Sequence, residues 1–526
     1  MLWRIEFASH QRKADLRRLD SRNMTKANNH RRVTLRAPQS LNAYVKTICD
    51  IMRRSNCAGA LQYVPELTWM LFLRILDERE EQELHAAQAV VDKFTPSLAS
   101  PYRWRDWAAP HGTKRLALTM GGTLGAMMQF VNGELLQHLR GLKDQPNATS
   151  RQKVISEVFS AVEKTRIDTE RNLLDILDKV DTLNVSDVDQ THMFTLSQVY
   201  EGLLLKMGEK NNDGGQFFTP REVIRAMVRV VAPQIGGTVY DPCCGTGGFL
   251  AQAFEYMQPN AQSGADIEVL RTRTFYGREK ENLVYPIALA NLVLHGIDEP
   301  HIWHGNTLTE QIVYDGLFTN APAQFDYVLT NPPFGGKEGK EAQTRFAYKT
   351  GATKVLFLQH VISALKDGGT CGIVMDEGVL FRTNETAFVQ TKRKLLDECD
   401  LFCIVSLPAG VFLQSGWGVK TNLLFFTKGK TTESVWYYDL SDVKVTKKQP
   451  LTLAHFDEFF QLISSRPETD KSWCVRAEEL KAKNYDLKAV NPHAKNETDT
   501  RTPEELYAII EAKQREIAEA LAKLRE

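Results

Sequence analysis

The chain has no surplus of either charge. Its 65 Lys and Arg balance 65 Asp and Glu over 526 residues, for a formal net charge of zero. A protein that gripped nucleic-acid phosphates over a broad surface would be basic, so any such contact is expected on a local patch or on a partner chain. No run of about 18 apolar residues occurs, and no membrane span is expected. Among 8 cysteines no C-x-x-C pair with zinc spacing is found. That pattern suits reduced thiols in a cytoplasm, with no disulfide framework and no resident metal. There is no G-x-G-x-x-G and no Walker lysine, which argues against a nucleotide-phosphate cradle. Nuclease motifs are also missing. The length allows roughly 2–4 domains.

Two motifs organise the chain. The first is Asn331-Pro332-Pro333-Phe334, which closes the apolar run Phe325 to Thr330. Two prolines cannot donate to a ladder, so the strand must stop there. Each also pushes its predecessor towards an extended conformation. A stiff loop results, presenting the Asn331 side-chain oxygen, the Pro332 carbonyl and the Phe334 ring. Such a set can hold a planar group carrying an amine: oxygens accept its N–H bonds and a ring stacks on its face. An ordinary Asn-Pro turn is the plainer reading of these four residues by themselves.

The second motif is Tyr240-Asp241-Pro242-Cys243-Cys244-Gly245-Thr246-Gly247-Gly248-Phe249-Leu250. It joins a short apolar strand to a helical stretch, Phe249 to Met257. Strand, glycine turn and helix make the opening unit of a doubly wound sheet. Gly245, Gly247 and Gly248 let the backbone approach a ligand closely. Glu279 closes the next strand, Thr274–Gly277, and is placed to hold ribose hydroxyls. Further strands are predicted at 302–304, 327–330, 370–375, 401–407 and 421–427, with helices at 283–295, 357–365 and 388–398. The alternation implies an α/β fold with a mostly parallel sheet. Ligands then belong at the carboxyl ends of its strands, where Asp241, Glu279 and Asn331 all fall.

These residues resemble the S-adenosylmethionine-dependent amino-methyltransferases of DNA. The pattern is D-P-x-x-G-T-G-G-F, an acid after the next strand, then N-P-P-F. Gly215-Gln216-Phe217-Phe218-Thr219-Pro220-Arg221, ahead of the glycine loop, is similar to the modification subunit (HsdM) of type I restriction–modification systems. The resemblance runs from about Leu41 to the C-terminus. It implies a Rossmann-like methyltransferase domain that transfers a methyl group from S-adenosylmethionine to N6 of a flipped adenine. Asn331, Pro332, Pro333 and Phe334 would act on the base. Gln216, Phe217, Phe218, Thr219, Pro220, Arg221, Asp241, Gly245, Thr246, Gly247, Glu279 and Asn306 would hold the cofactor. Relatives usually carry aspartate where Asn306 stands, and Asn can still donate and accept there. Thr219-Pro220 reads as a helix start, with Thr219 as N-cap. The implied partners are double-stranded DNA, a specificity subunit bound by two copies of this chain, and a restriction subunit. A protein-glutamine or N4-cytosine amino-methyltransferase is the alternative, since N-P-P-F suits any amide or amine of that geometry.

The remainder divides as follows. Residues 1–36 hold ten Lys/Arg against three Asp/Glu and read as a basic lead. Residues 37–207 read as a helical domain, with apolar periodicity over 41–52, 67–75, 154–183 and 194–204. Residues 208–445 make the methyltransferase domain, and 446–526 a closing segment. Its helix, 503–526, opens on the capping box Thr502-Pro503-Glu504-Glu505. Leu506, Ile510, Ile517, Leu521 and Leu524 follow heptad-like steps, so this helix is expected to dock a partner subunit. The charged stretch 335–353, with Lys337, Lys340, Arg345 and Lys349 as candidate phosphate contacts, is expected to order when DNA enters.

Overall fold

A computed structural model describes residues 38–55, 57, 60–89, 94–182, 219–412, 420–446, 449–493 and 502–523. The helical region contains α1 (Pro38–Arg53), α2 (Ala60–Ala89), α3 (Ser150–Val158) and α4 (Glu170–Asp181), with short helical turns between them. The amphipathic stretch read over 154–183 is two helices. Thr149 opens α3 with a capping box to Gln152, and Thr169 opens α4 by accepting from the Asn172 N–H. Each cap satisfies donors that a continuous helix would have paired internally, which is why the chain breaks here. The helix expected at 194–204 lies outside the described residues.

From residue 219 strands and helices alternate. The helices are α5 (Arg221–Val231), α6 (Gly248–Met257), α7 (Gly264–Thr272), α8 (Tyr285–His295), α9 (Thr353–Ala364) and α10 (Thr386–Glu398). The strands are β1 (Val239–Asp241), β2 (Phe275–Glu279), β3 (His301–Asn306), β4 (Gln311–Tyr314), β5 (Phe325–Thr330) and β6 (Leu365–Asp376). β7 (Cys399–Ser406), β8 (Thr421–Lys428), β9 (Ser434–Asp439) and β10 (Ser472–Arg476) follow. Their order is β10-β9-β7-β8-β6-β5-β1-β2-β3-β4. The central strands β6, β5, β1, β2 and β3 run parallel, while β4, β8 and β10 pair antiparallel with their neighbours.

β4, β9 and β10 were not expected from the sequence. β4 is short and exposed, so it lacks the apolar run that marks a core strand. β10 pairs with β9, so the sheet continues past residue 445 into the closing segment.

Helices cover both faces. α5, α6 and α8 pack on one side, in a hydrophobic cluster that runs on into α2, α3 and α4. α9 and α10 pack on the other. α8 is apolar all round, and the reason is its position between the sheet and the helical layer. Charges clamp the same boundary. Arg151 of α3 contacts Glu80 and Glu83 of α2 at 3.1 and 2.7 Å and Asp298, just after α8, at 2.7 Å. Arg271 of α7 meets Asp298 at 2.6 Å and Glu83 at 3.2 Å. A last helix, α11 (Pro503–Lys523), exposes Tyr507, Ile509, Ile510 and Ile517. Among the described residues no helix is long and apolar enough to cross a membrane.

Candidate active site

β1 lies between β2 and β5, which leave it in opposite directions across the sheet. A crevice opens where strand order reverses in this way. It is a cleft of about 960 Å³ including its open mouth, lined among others by Thr219, Asp241, Gly245, Thr246, Glu279, Asn306, Asn331 and Pro333.

The floor is the glycine loop. Gly245 and Gly247 take φ of +54° and +81°. Other residues adopt such angles only at a cost, and a Cβ on Gly247 would also press on Leu292 at 3.1 Å. Gly247 is the N-cap of α6, so the turn leads straight into that helix. The Gly245 N–H donates to Glu279 Oε2 at 2.9 Å, and the Glu281 N–H to Glu279 Oε1 at 2.8 Å. Glu279 is only 6% exposed, and burial pushes its carboxyl up to about 7. These two backbone bonds work against that rise, because they favour the ionised form. The carboxylate keeps lone-pair capacity for a hydroxyl donor.

Asp241 is 1% exposed, and burial lifts it to about 7 as well. Its Oδ1 accepts from the Thr330 hydroxyl at 2.7 Å and the Cys243 N–H at 3.2 Å. It thereby ties the end of β5 to the glycine loop. Thr330 also lies 3.1 Å from Cys243 Sγ, and the Thr307 hydroxyl donates to the Pro242 carbonyl at 2.6 Å. Thr330 and Thr307 brace the loop and were not singled out from the sequence. The available signal was a buried hydroxyl residue at the end of each apolar strand. Burial drives the Cys243 thiol well above its ordinary range, so it stays protonated and is no nucleophile.

Asn331 sits at the lip. Its Nδ2 donates to Thr219 Oγ1 at 2.9 Å, and its Oδ1 is a buried acceptor without a partner among the described residues. Pro332 is buried behind it and Pro333 faces the cleft. The Phe334 ring meets Phe412 edge-on at 5.0 Å and does not line the cleft.

The structure therefore brings Thr219, Asp241, Gly245, Thr246, Glu279, Asn306, Asn331 and Pro333 together. Three expected residues, Gln216, Phe217 and Phe218, lie outside the described residues. Arg221 does not line the cleft; its charge acts on Glu255 and His295 instead. Asn306 lines the cleft, yet its Oδ1 accepts from the Leu308 and Thr309 N–H groups in a turn. Thr219 is not the N-cap of α5. That place falls to Pro220, whose carbonyl accepts from Val223 and Ile224.

The stretch 335–353, expected to order only with DNA, is already laced together. The Glu338 N–H donates to the Gly351 carbonyl at 2.9 Å, the Thr353 hydroxyl to Glu338 Oε1 at 2.9 Å, and the Tyr348 N–H to Gln359 Oε1 at 3.0 Å. Arg345 is paired with Glu310. Internal bonds here supply what a loop of this length was expected to take from a ligand.

Comparison with known proteins follows the same division of the chain. The family described as N-6 DNA Methylase matches residues 191–501, and the HsdM N-terminal domain matches residues 41–180. The type I restriction enzyme EcoEI methylase subunit of Escherichia coli is 34% identical, over 93% of this chain and 97% of its own. The EcoKI methylase subunit of E. coli K12 is 30% identical, over 82% of this chain and 78% of its own. A solved modification subunit assigned to a type I restriction enzyme from Vibrio vulnificus YJ016 is 33% identical. It covers 87% of this chain and 98% of its own, with a TM-score of 0.76.

Proposed function

Because this chain belongs to the N-6 DNA methylase family and is the modification subunit of a type I restriction–modification system, we propose that its cleft seats S-adenosylmethionine beside a flipped adenine. One observation carries the reading: Asn331 offers a buried Oδ1, unpartnered among the described residues, at the lip of a glycine-floored, carboxylate-lined cleft.

The cleft suits that cofactor. Gly245, Thr246 and Gly247 leave room for its backbone-hugging approach, Glu279 takes ribose hydroxyls, and two buried carboxyls favour a cation. Gln216, Phe217 and Phe218 would bind the methionine end, and Asn306 would flank the adenine end. When bound, the cofactor supplies an electrophilic methyl on a sulfonium.

The chain's own residues do the rest. A base inside a duplex must leave the stack before its amine is reached, and least energy is lost if the receiving pocket is prepared. Asn331 Oδ1 and the Pro332 carbonyl accept the two N6 hydrogens. That pairing draws the nitrogen lone pair out of conjugation with the ring and aims it into the cleft. Phe334, outside the cleft and edge-on to Phe412, would stack on the base as it enters. Catalysis is then positioning, with no covalent cysteine and no strong base.

The working unit follows from the same reading: two copies of this chain with one specificity subunit on double-stranded DNA in the cytoplasm, and a restriction subunit added for cleavage. A helical domain over 37–207 precedes the methyltransferase domain, whose sheet takes in β10 and so extends past residue 445. In the closing segment α11 presents Ile510 and Ile517 to the partner.

The deciding experiment is transfer of labelled methyl to duplex DNA by the reconstituted complex. Asn331→Ala should lose most turnover, about tenfold to a hundredfold or more for a lost buried hydrogen bond of 1–3 kcal/mol, while cofactor binding persists. A variant with undiminished methylation sinks the reading.

A further inference from the structure

The Thr219 hydroxyl is left without a capping task. Pro220 caps α5 through its carbonyl, and no side chain caps that helix. The hydroxyl instead accepts from Asn331 Nδ2 at 2.9 Å, across 112 positions of chain. Thr219 and Asn331 both line the cleft, and the Asn331 Oδ1 on the other end of the amide has no partner among the described residues.

The backbone beneath this amide is fixed. Thr330, just before it, is bonded to Asp241 and lies 3.1 Å from Cys243 Sγ. What is left open is rotation of the amide about its last side-chain bond, a broad and two-fold torsion. A primary amide has a donor end and an acceptor end. Only one orientation satisfies both when an amine is delivered. With Nδ2 on Thr219, Oδ1 meets the incoming N–H. With the amide reversed, its own N–H groups would confront those of the amine.

We propose that Thr219 is a positioning residue for methyl transfer: its hydroxyl anchors the Asn331 amide so that Oδ1 faces the target amine. This rests on the reading of Asn331 as the amine's acceptor. It also joins the segment ahead of α5 to the base-gripping loop through one side-chain bond.

The test uses the complex with its specificity partner. Thr219→Val keeps the shape and removes the hydrogen bond. Its kcat should fall about tenfold to a hundredfold, as befits one lost orienting bond. KM for DNA and the cofactor Kd should stay within threefold. Thr219→Ser should restore kcat to within threefold, and adding Thr219→Val to Asn331→Ala should cost nothing further. A wild-type kcat in Thr219→Val, alongside an inactive Asn331→Ala, overturns the inference and leaves the acceptor reading intact. An active Asn331→Ala overturns that reading itself. A fall in cofactor affinity matching the fall in rate, or failure of Ser to rescue, also overturns the inference by giving Thr219 a different task. Should the valine variant fail to melt like the wild type, Thr219→Ala carries the same comparison.

Discussion

Glu279 shows what a single buried carboxyl can report. Its folded value, pushed up to about 7 by burial, stands above the ordinary carboxylate range. A hydroxyl donor or a nearby cation prefers the ionised form. Below pH 7 the unliganded protein holds a proton that must leave on binding, so cofactor affinity should weaken as pH falls, by up to about tenfold per unit between 7 and 5. For folding the sign is opposite. A raised acid stabilises the fold at low pH, and that contribution fades as pH rises from the ordinary carboxylate value to 7. Calorimetry across this window, in buffers of different ionisation enthalpy, should show proton release. Glu279→Gln should bind weakly and with a shallower profile, Asp241 still titrating in the same range. An unchanged profile would take Glu279 out of the cofactor site.

At the scale of elements, the glycine loop and the start of α6 form one device. Gly247 combines a left-handed backbone with a Cβ position occupied by Leu292 of α8. Gly247→Ala should cost about 1–2 kcal/mol of backbone strain and shift the loop, so both the unfolding midpoint and cofactor affinity should drop. A variant matching wild type in both would show that the loop tolerates a side chain. The parallel strands were legible because each is an apolar run bounded by turn residues, as in Phe325–Thr330 before two prolines. β4 was not, since Gln311–Tyr314 is largely exposed and owes its existence to pairing with β3. The break between α3 and α4 was equally hidden, because Thr169 looks like any exposed polar residue until its hydroxyl is seen to cap.

For the whole molecule, the boundary between helical layer and catalytic sheet rests on an apolar helix and a charge cluster. Removing Arg151 would leave buried Glu80 without its guanidinium, while Arg271 still meets Glu83 and Asp298. Those surviving partners should keep the loss below the ~3–5 kcal/mol of a fully broken buried pair. Arg151→Ala should therefore lower the denaturation midpoint clearly, and a surface substitution such as Lys513→Ala should not. Deleting residues from 502 onward should leave that midpoint in place and abolish assembly with the specificity subunit. The reason is that α11 exposes Tyr507, Ile510 and Ile517 and spends little of its apolar surface within the chain. Size-exclusion chromatography of the mixed subunits distinguishes the outcomes, and an intact complex would place the docking surface elsewhere.

Chain order by itself determined the α/β alternation, the glycine turn, the proline-stopped strand and the acid that closes β2. Each is a short-range pattern whose physics acts within a few residues. Only tertiary structure decided that Thr219 serves Asn331 and leaves the helix cap to Pro220. It alone decided that Asp241 spends its bonds joining Thr330 to Cys243, and that Arg151 spans two layers. Those choices depend on which distant groups arrive within hydrogen-bonding distance, and a linear pattern carries no record of that.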